Sequence, residues 1–200
     1  MKKISKLITN YILCLFIFFL LNKASHAKEP IDFIRYITTE ASSILANNIE
    51  KDKKIKELRE LAEENVDIKG VGYYSLGKTR KTITKSQLIE YENLFKEYFL
   101  KSFSSRLSEY SDPKINVLSQ KILSEKYTIV SSVLIATESR PEVKIDWRVY
   151  TKNPDKPLIR DLIIEGLSLA RTQKEEFNSI VQGGDGNIEV LFENLRNFIN

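Results

Sequence analysis

A serine on a tight turn, between an apolar strand and a helix, is how many hydrolases display a nucleophile. The stretch Ile159–Phe177, IRDLIIEGLSLARTQKEEF, has that outline around Ser168. Gly166 stands two residues before the serine, where the motif wants it, but Ala170 replaces the second glycine. A nucleophilic serine also needs a base, usually an imidazole. The whole chain has one histidine, His26, and it lies far from this stretch in sequence. A lysine base is chemically possible, yet Lys174 would sit a turn and a half along the same helix. The other reading is that Ser168 caps the helix, its hydroxyl accepting from a backbone N–H near Arg171. Asp161 and Glu165 lie four apart, so in a strand they share a face. Paired carboxylates there could do acid–base work, or form a solvated, ion-paired strand face.

The N-terminus removes most remaining chemistry. Lys2, Lys3 and Lys6 precede an apolar run, Tyr11 to Leu21, and Ser25-His26-Ala27 supplies small residues at −3 and −1 of a cleavage site. That pattern predicts a secretory signal peptide over residues 1–27. The run is shorter than the ~20 residues of a spanning helix. Cleavage after Ala27 would take away His26 and Cys14, the only histidine and the only cysteine. It would also take four lysines and no acid, leaving 27 basic against 27 acidic residues and a net charge of zero. A mature chain of this kind excludes Ser-His and Cys-His catalysis, thiolate or imidazole zinc sites and disulfides. Its charge balance gives no support to nucleic-acid binding. No cofactor is implied. Residues 28–200 suit a single domain with a sizeable core.

Elements that could position a site follow from periodicity. Ile31, Ile34, Ile37, Ala41, Ile44 and Leu45 recur at helical spacing after Pro30. The charged segment EKDKKIKELRELAEENVD continues as a more exposed helix, and a short segment, IKGVGYYSLGKTR, follows. Thr84 and Gln87 form a capping box for a long helix with Leu88, Tyr91, Phe95, Tyr98, Phe99 and Phe103 on one face. From KINVLSQKIL onward the period becomes that of strands. KYTIVSSVLIAT is rich in β-branched residues. Val143, Ile145, Trp147 and Val149 alternate with polar neighbours. PLIRDLIIEG is the next strand, and two helices close the chain, Ser168 to about Gln182 and about Asn187 to Asn200. Together these predict an α+β fold: a helical N-terminal half packed on a curved antiparallel sheet of about four strands, enclosing an apolar pocket.

Several local motifs carry a family likeness. Leu76-Gly77 precede the long helix, Gln87 and Tyr91 open it, and Tyr110 stands near the end of the helical half. Asp161, Glu165, Gly166, Leu167, Ser168, Leu169 and Phe177 fit the pattern Asp-x-x-hydrophobic-Glu-Gly-hydrophobic-Ser-Leu followed by Phe. In these the chain resembles the MlaC family of periplasmic phospholipid-binding proteins, over roughly Ile31 to Arg196. Two departures stand out: Thr79-Arg80 replace a family Trp, and Gln173-Lys174 replace an aromatic-Arg pair.

The resemblance implies a monomeric periplasmic carrier that binds a phospholipid by its acyl chains. It implies partners too: an outer-membrane lipoprotein complex and an inner-membrane ABC transporter complex. Alternation and spacing then select the residues expected to line the pocket. These are Val133, Ile135, Val143, Ile145, Trp147 and Val149, with Leu162 and Ile164 from the next strand. Phe95, Phe99 and Leu169 join them from the helices. A register slip of one residue would exchange a strand's set for its opposite face. Two other readings stay open: an exported hydrolase or isomerase using Asp161, Glu165 or Ser168, and a structural adaptor with a filled core.

Overall fold

Pro30 presets φ for a first helical turn and has no N–H to leave unpaired, and the first helix among the described residues, α1, starts there (Pro30–Ala46). The computed structural model describes residues 29–200. The expected signal peptide, residues 1–27, lies outside the described residues. The α1 face of Phe33, Ile34, Ile37 and Leu45 is buried. Helix α2 (Lys51–Asn65) buries only Leu58 and Ala62, and its outer face carries the i,i+4 pairs Lys53–Glu57 and Lys56–Glu60. Helix α3 (Ile68–Leu76) is capped by Asp67, whose carboxylate accepts from Gly70 N, and it stops at Gly77. Gly77 has φ +60, a conformation that glycine adopts without the Cβ penalty. Helix α4 (Lys85–Leu107) opens on the Thr84/Gln87 capping box read from sequence.

The chain then turns into strands β1 (Ile115–Ser124), β2 (Tyr127–Leu134), β3 (Val143–Tyr150), β4 (Leu158–Ile164) and β5 (Leu167–Ser168). They form one antiparallel sheet in sequence order, four long strands and a two-residue fifth. Helices α5 (Leu169–Gly183) and α6 (Ile188–Ile199) follow. This is the α+β order expected from the change of period.

Two apolar cores result. In one, α1 lays Phe33, Ile34 and Ile37 on Val130, Trp147, Val149 and Ile159 of the sheet. Gln120 of β1 fixes the start of α1, accepting from Ile31 N and donating to the Glu29 carboxylate. In the other, α3, α4, α5 and α6 bury Leu76, Tyr91, Phe95, Phe177, Val181, Leu191, Phe192 and Leu195 among themselves. Val66 joins the two by a parallel bridge to Ile159 of β4. Arg160 reinforces that joint: it donates to the Asp67 carboxylate at 2.6 Å and the Tyr127 hydroxyl at 2.7 Å, and its guanidinium stacks 3.7 Å from the Tyr150 ring centroid.

Candidate functional site

The strand–turn–helix element is where catalysis would have to be built. Ile164 pairs with Leu167, so Glu165 and Gly166 form a two-residue hairpin turn. Their φ values, +49 and +83, are those that tight β-hairpins require. Glu165, a non-glycine at positive φ, is held by two contacts to β3. Its N–H donates to Lys144 O at 3.0 Å and its carboxylate accepts from Lys144 N at 2.5 Å. Asp161 does something different. Its side chain is 2% exposed and accepts from the Ser168 hydroxyl at 2.7 Å and from Ala170 N at 3.0 Å, with Arg148 at 3.7 Å as countercharge. Ser168 in turn accepts from Arg171 N at 3.1 Å, the capping bond its position suggested.

The three residues therefore do not converge on a reacting centre. Glu165 clasps the β3 backbone, whereas Asp161 and Ser168 satisfy the free N–H groups of the α5 N-terminus. Lys174, the other base considered, lies over the Tyr74 ring at 5.1 Å. Sequence spacing missed Asp161 as an acceptor for α5, because its two donors, Ser168 and Ala170, lie beyond an intervening hairpin turn.

Residues directly opposite in an antiparallel ladder share a face. Val143 faces Leu134, Ile145 faces Ser132 and Ile164, and Trp147 faces Val130 and Leu162. Val149 faces Thr128 and Ile159. The six positions expected from β3 and β4, Val143, Ile145, Trp147, Val149, Leu162 and Ile164, thus share the face that α1 covers. Strand β2 has the opposite register from the one expected. Val133 lies opposite Lys144, and the buried residues of β2 are Thr128, Val130, Ser132 and Leu134. Ile135, beyond the end of β2, is 44% exposed. The correction has a physical cause. Ser132 is tolerated in the core because its hydroxyl accepts from Trp147 Nε1 at 2.8 Å and donates to Ile145 O at 3.1 Å. Counting apolar residues alone favours Val133 and Ile135 over this satisfied serine.

Burial along the covered face is uneven. Val130 and Val149 are fully buried, and Trp147 and Ile159 nearly so. Towards the β4–β5 turn, Val143, Ile145, Leu162 and Ile164 are only half-buried. Leu167, opposite Ile164, is 59% exposed, and Leu169 at the first turn of α5 is 42% exposed. The sheet therefore ends in an incompletely covered apolar strip.

The helical candidates divide in the same way. Phe95 is sealed in the helical core among Tyr91, Tyr98, Phe99 and Phe177. Phe99 is half-buried and stacks on Phe103, ring centroids 6.0 Å apart and planes 7° off parallel. Tyr98 bonds Gln173 of α5, while Phe177, one turn on, reaches back to Tyr91. Phe177 also meets the rings of Phe95 and Tyr98, so α5 crosses α4 at this aromatic cluster.

A cleft of about 390 Å³ opens elsewhere, between the end of α2, α3, α4 and the start of β4. Its floor is Val66, Gly72, Tyr91, Phe95 and Leu158. Of the eleven expected pocket residues, Phe95 alone lines it. Ion pairs bridge its rim, Lys96–Glu63 at 3.0 Å and Lys69–Glu92 at 2.8 Å. The Lys69 ammonium, helped by the Tyr73 hydroxyl, holds the Glu92 carboxyl below the usual carboxylate range. Burial pushes the Tyr91 phenol far above its ordinary value, and that hydroxyl donates to Gly72 O. Among the described residues, no cluster of three or more His, Cys, Asp or Glu side chains could hold a metal ion. No described helix is long and apolar enough to cross a membrane.

No curated protein matches this chain. Among solved structures, a phospholipid-binding protein from Ralstonia solanacearum, in complex with a phospholipid, is similar in fold. The TM-score is 0.71 at 16% identity, over 86% of this chain and 97% of that one. At that identity the likeness is one of fold. The family model described as MlaC protein matches residues 36–197. That span runs from within α1 to the last turns of α6, and takes in both cores, the open strip and the Asp161–Ser168 element. The chain belongs to the MlaC family.

Proposed function

We propose that this protein, exported and trimmed to residues 28–200 as one domain, is a monomeric phospholipid carrier of the periplasm. It takes lipid from one membrane system and hands it to another. One partner is an outer-membrane lipoprotein complex and the other an inner-membrane ABC transporter complex. The observation that carries the reading is the apolar strip at the open end of the sheet. Val143, Ile145, Leu162 and Ile164 lie on the core face yet are only half-buried, and Leu169 on α5 and Phe99 on α4 are likewise not fully buried. These six contact acyl chains, and Trp147, Val149 and Phe95 back them. Val133 and Ile135 are left out. Burying a chain of sixteen carbons is worth roughly 12 kcal/mol before costs, at ~0.8 kcal/mol per CH₂. Such a ligand needs an apolar slot and few polar contacts. The phospholipid held by the similar Ralstonia protein supports the ligand class. A non-enzymatic role is supported by Asp161 and Ser168, whose hydrogen bonds go to a helix start.

Native mass spectrometry of protein purified without detergent tests this. A mass increment matching one phospholipid, which disappears on organic extraction, is expected. Protein that is always empty, and stays empty after incubation with phospholipid vesicles, would sink the proposal.

A further inference from the structure

Charge is not spread evenly along the chain. Ile68 to Ile89 holds Lys69, Lys78, Arg80, Lys81 and Lys85 and no acid, while the rest of residues 28–200 has 22 basic against 27 acidic residues. The stretch is α3, a short 3₁₀ turn (Thr79–Lys81) and the start of α4. Contacts fix where its cations stand. The Arg80 guanidinium and the Lys69 ammonium lie 4.8 and 5.3 Å from the Tyr73 ring centroid. Lys174 arrives from α5: its ammonium lies over the Tyr74 ring, and a Cβ on Gly77 would meet its Cε at 3.1 Å. Lys78 and Lys174 line one hollow. Lys81 donates its N–H to Lys78 O at 2.9 Å, and residues three apart in a 3₁₀ turn eclipse, so these two lysines share a side. Four cations thus gather at the C-terminal end of α3, and Lys85 follows in the first turn of α4. The α3 terminus supplies about half a negative charge, too little to balance them. Nearby acids are already occupied: Asp67 holds Arg160, Glu92 holds Lys69 and Glu90 pairs with Arg196. Glu175 also lines the hollow but forms no ion pair with Lys174 among the described residues. Lys78, Arg80, Lys81 and Lys85 are exposed and, like Lys174, enter no ion pair among those residues. Two exposed apolar side chains accompany them, Tyr74 beneath Lys174 and Ile89 one helical turn after Lys85.

We propose that this surface docks the protein onto the face of an anionic phospholipid bilayer. A chain whose residues 28–200 sum to zero charge is drawn to a charged surface only by such segregation. The side chains favour a membrane over an acidic protein. Four of the five unpaired cations are lysines, hydrated point charges on flexible stems, which suit a diffuse layer of phosphates better than a fixed carboxylate. Tyr74 adds an amphipathic ring of the kind that sits at a headgroup layer. None of these residues belongs to the sheet, so the surface is separate from the apolar strip. It does not require the carrier reading: one concerns where the protein rests, the other what it holds.

The test floats the purified protein, expressed from its full sequence, with vesicles of equal parts phosphatidylethanolamine and phosphatidylglycerol, and with vesicles of phosphatidylcholine. Wild type should bind the anionic vesicles about tenfold more tightly and be released as salt is raised. Lys78→Gln, Lys81→Gln and Lys85→Gln together should weaken that binding about a hundredfold, at roughly fivefold per lysine. Lys114→Gln, Lys121→Gln and Lys126→Gln together remove the same charge from exposed positions in and beside β1, and should bind like wild type. Arginine at positions 78, 81 and 85 keeps the charge and should retain binding, which separates charge from folding. Equal binding to both kinds of vesicle, or equal losses in the two glutamine variants, overturns the proposal. Binding to soluble polyglutamate with none to vesicles assigns the surface to an acidic protein partner and overturns it too. Native mass spectrometry after exposure to detergent-dispersed phospholipid keeps the two readings apart. Patch-dependent vesicle binding by a protein that takes up no lipid sinks the carrier alone. Lipid uptake without patch-dependent vesicle binding sinks the docking surface alone.

Discussion

The two cores solve the same burial problem to different degrees. In the helical core, Tyr91, Phe192, Leu191 and Leu195 are essentially inaccessible, and the rings of Tyr91, Phe95 and Phe177 meet stacked and edge-on. In the sheet core, Val130 and Val149 are equally buried, but the same face runs out to Val143, Ile145 and Ile164 with only partial cover. Four helices close on one another, whereas α1 packs Phe33, Ile34 and Ile37 on Val130, Trp147, Val149 and Ile159 and leaves the sheet residues nearer the β4–β5 turn less covered. The difference separates residues sealed inside the fold from residues that stay partly accessible, although both sets are apolar and both were legible as such.

Mutation of the closed core should give the largest loss. Phe192→Ala empties a fully buried site and is expected to cost about 4 kcal/mol, read as a lower urea midpoint. Asp161→Ala comes next, because it leaves the Ser168 hydroxyl and Ala170 N–H without their acceptor where the sheet passes into the helical core. A loss of about 2–3 kcal/mol is expected. If the two cores unfold together, fluorescence of Trp147 and far-UV circular dichroism will still trace one transition; two transitions would mean that Asp161 couples them. Ile145→Ala should invert the pattern, with a stability change near 1 kcal/mol and a clear fall in bound lipid. Equal loading by Ile145→Ala and wild type would place the lipid elsewhere.

The smallest effect expected concerns pH. Glu92 has its folded pKa lowered by Lys69 and Tyr73, so its contribution is present above the unfolded carboxylate value of ~4.3 and lost as pH falls through the folded one. Glu92→Gln should narrow the difference from wild type only on that acid side. A difference that persists unchanged at the lowest pH would assign the effect to packing.

Helices and strands were legible from the chain because each obeys one local rule. Pro30, the Thr84/Gln87 box and Ser168 mark helix starts whose causes lie within a few residues. The alternation of β3 set its inward face for the same reason. Strand β2 was misread because Ser132 is buried through partners on β3, 13 and 15 residues away, which no local pattern records. Phe95 and Phe99 share a helical stripe, so spacing could not say that one is sealed and the other half-open. Lys174 was weighed only as a base for Ser168, since its place over Tyr74 and beside Gly77 is set by the packing of α5 on α3.

The strict order β1-β2-β3-β4-β5 also bears on how quickly the protein acquires its shape. Every strand pairs with its immediate predecessor, so the sheet can zip through short loops, the topology associated with rapid folding. Closing α1 over that sheet is another matter, since Ile31 and Gln120 are 89 residues apart. The chain should therefore acquire its meander early and its apolar lid late, and the slow phase would be the one in which the strip at the sheet's end is most accessible.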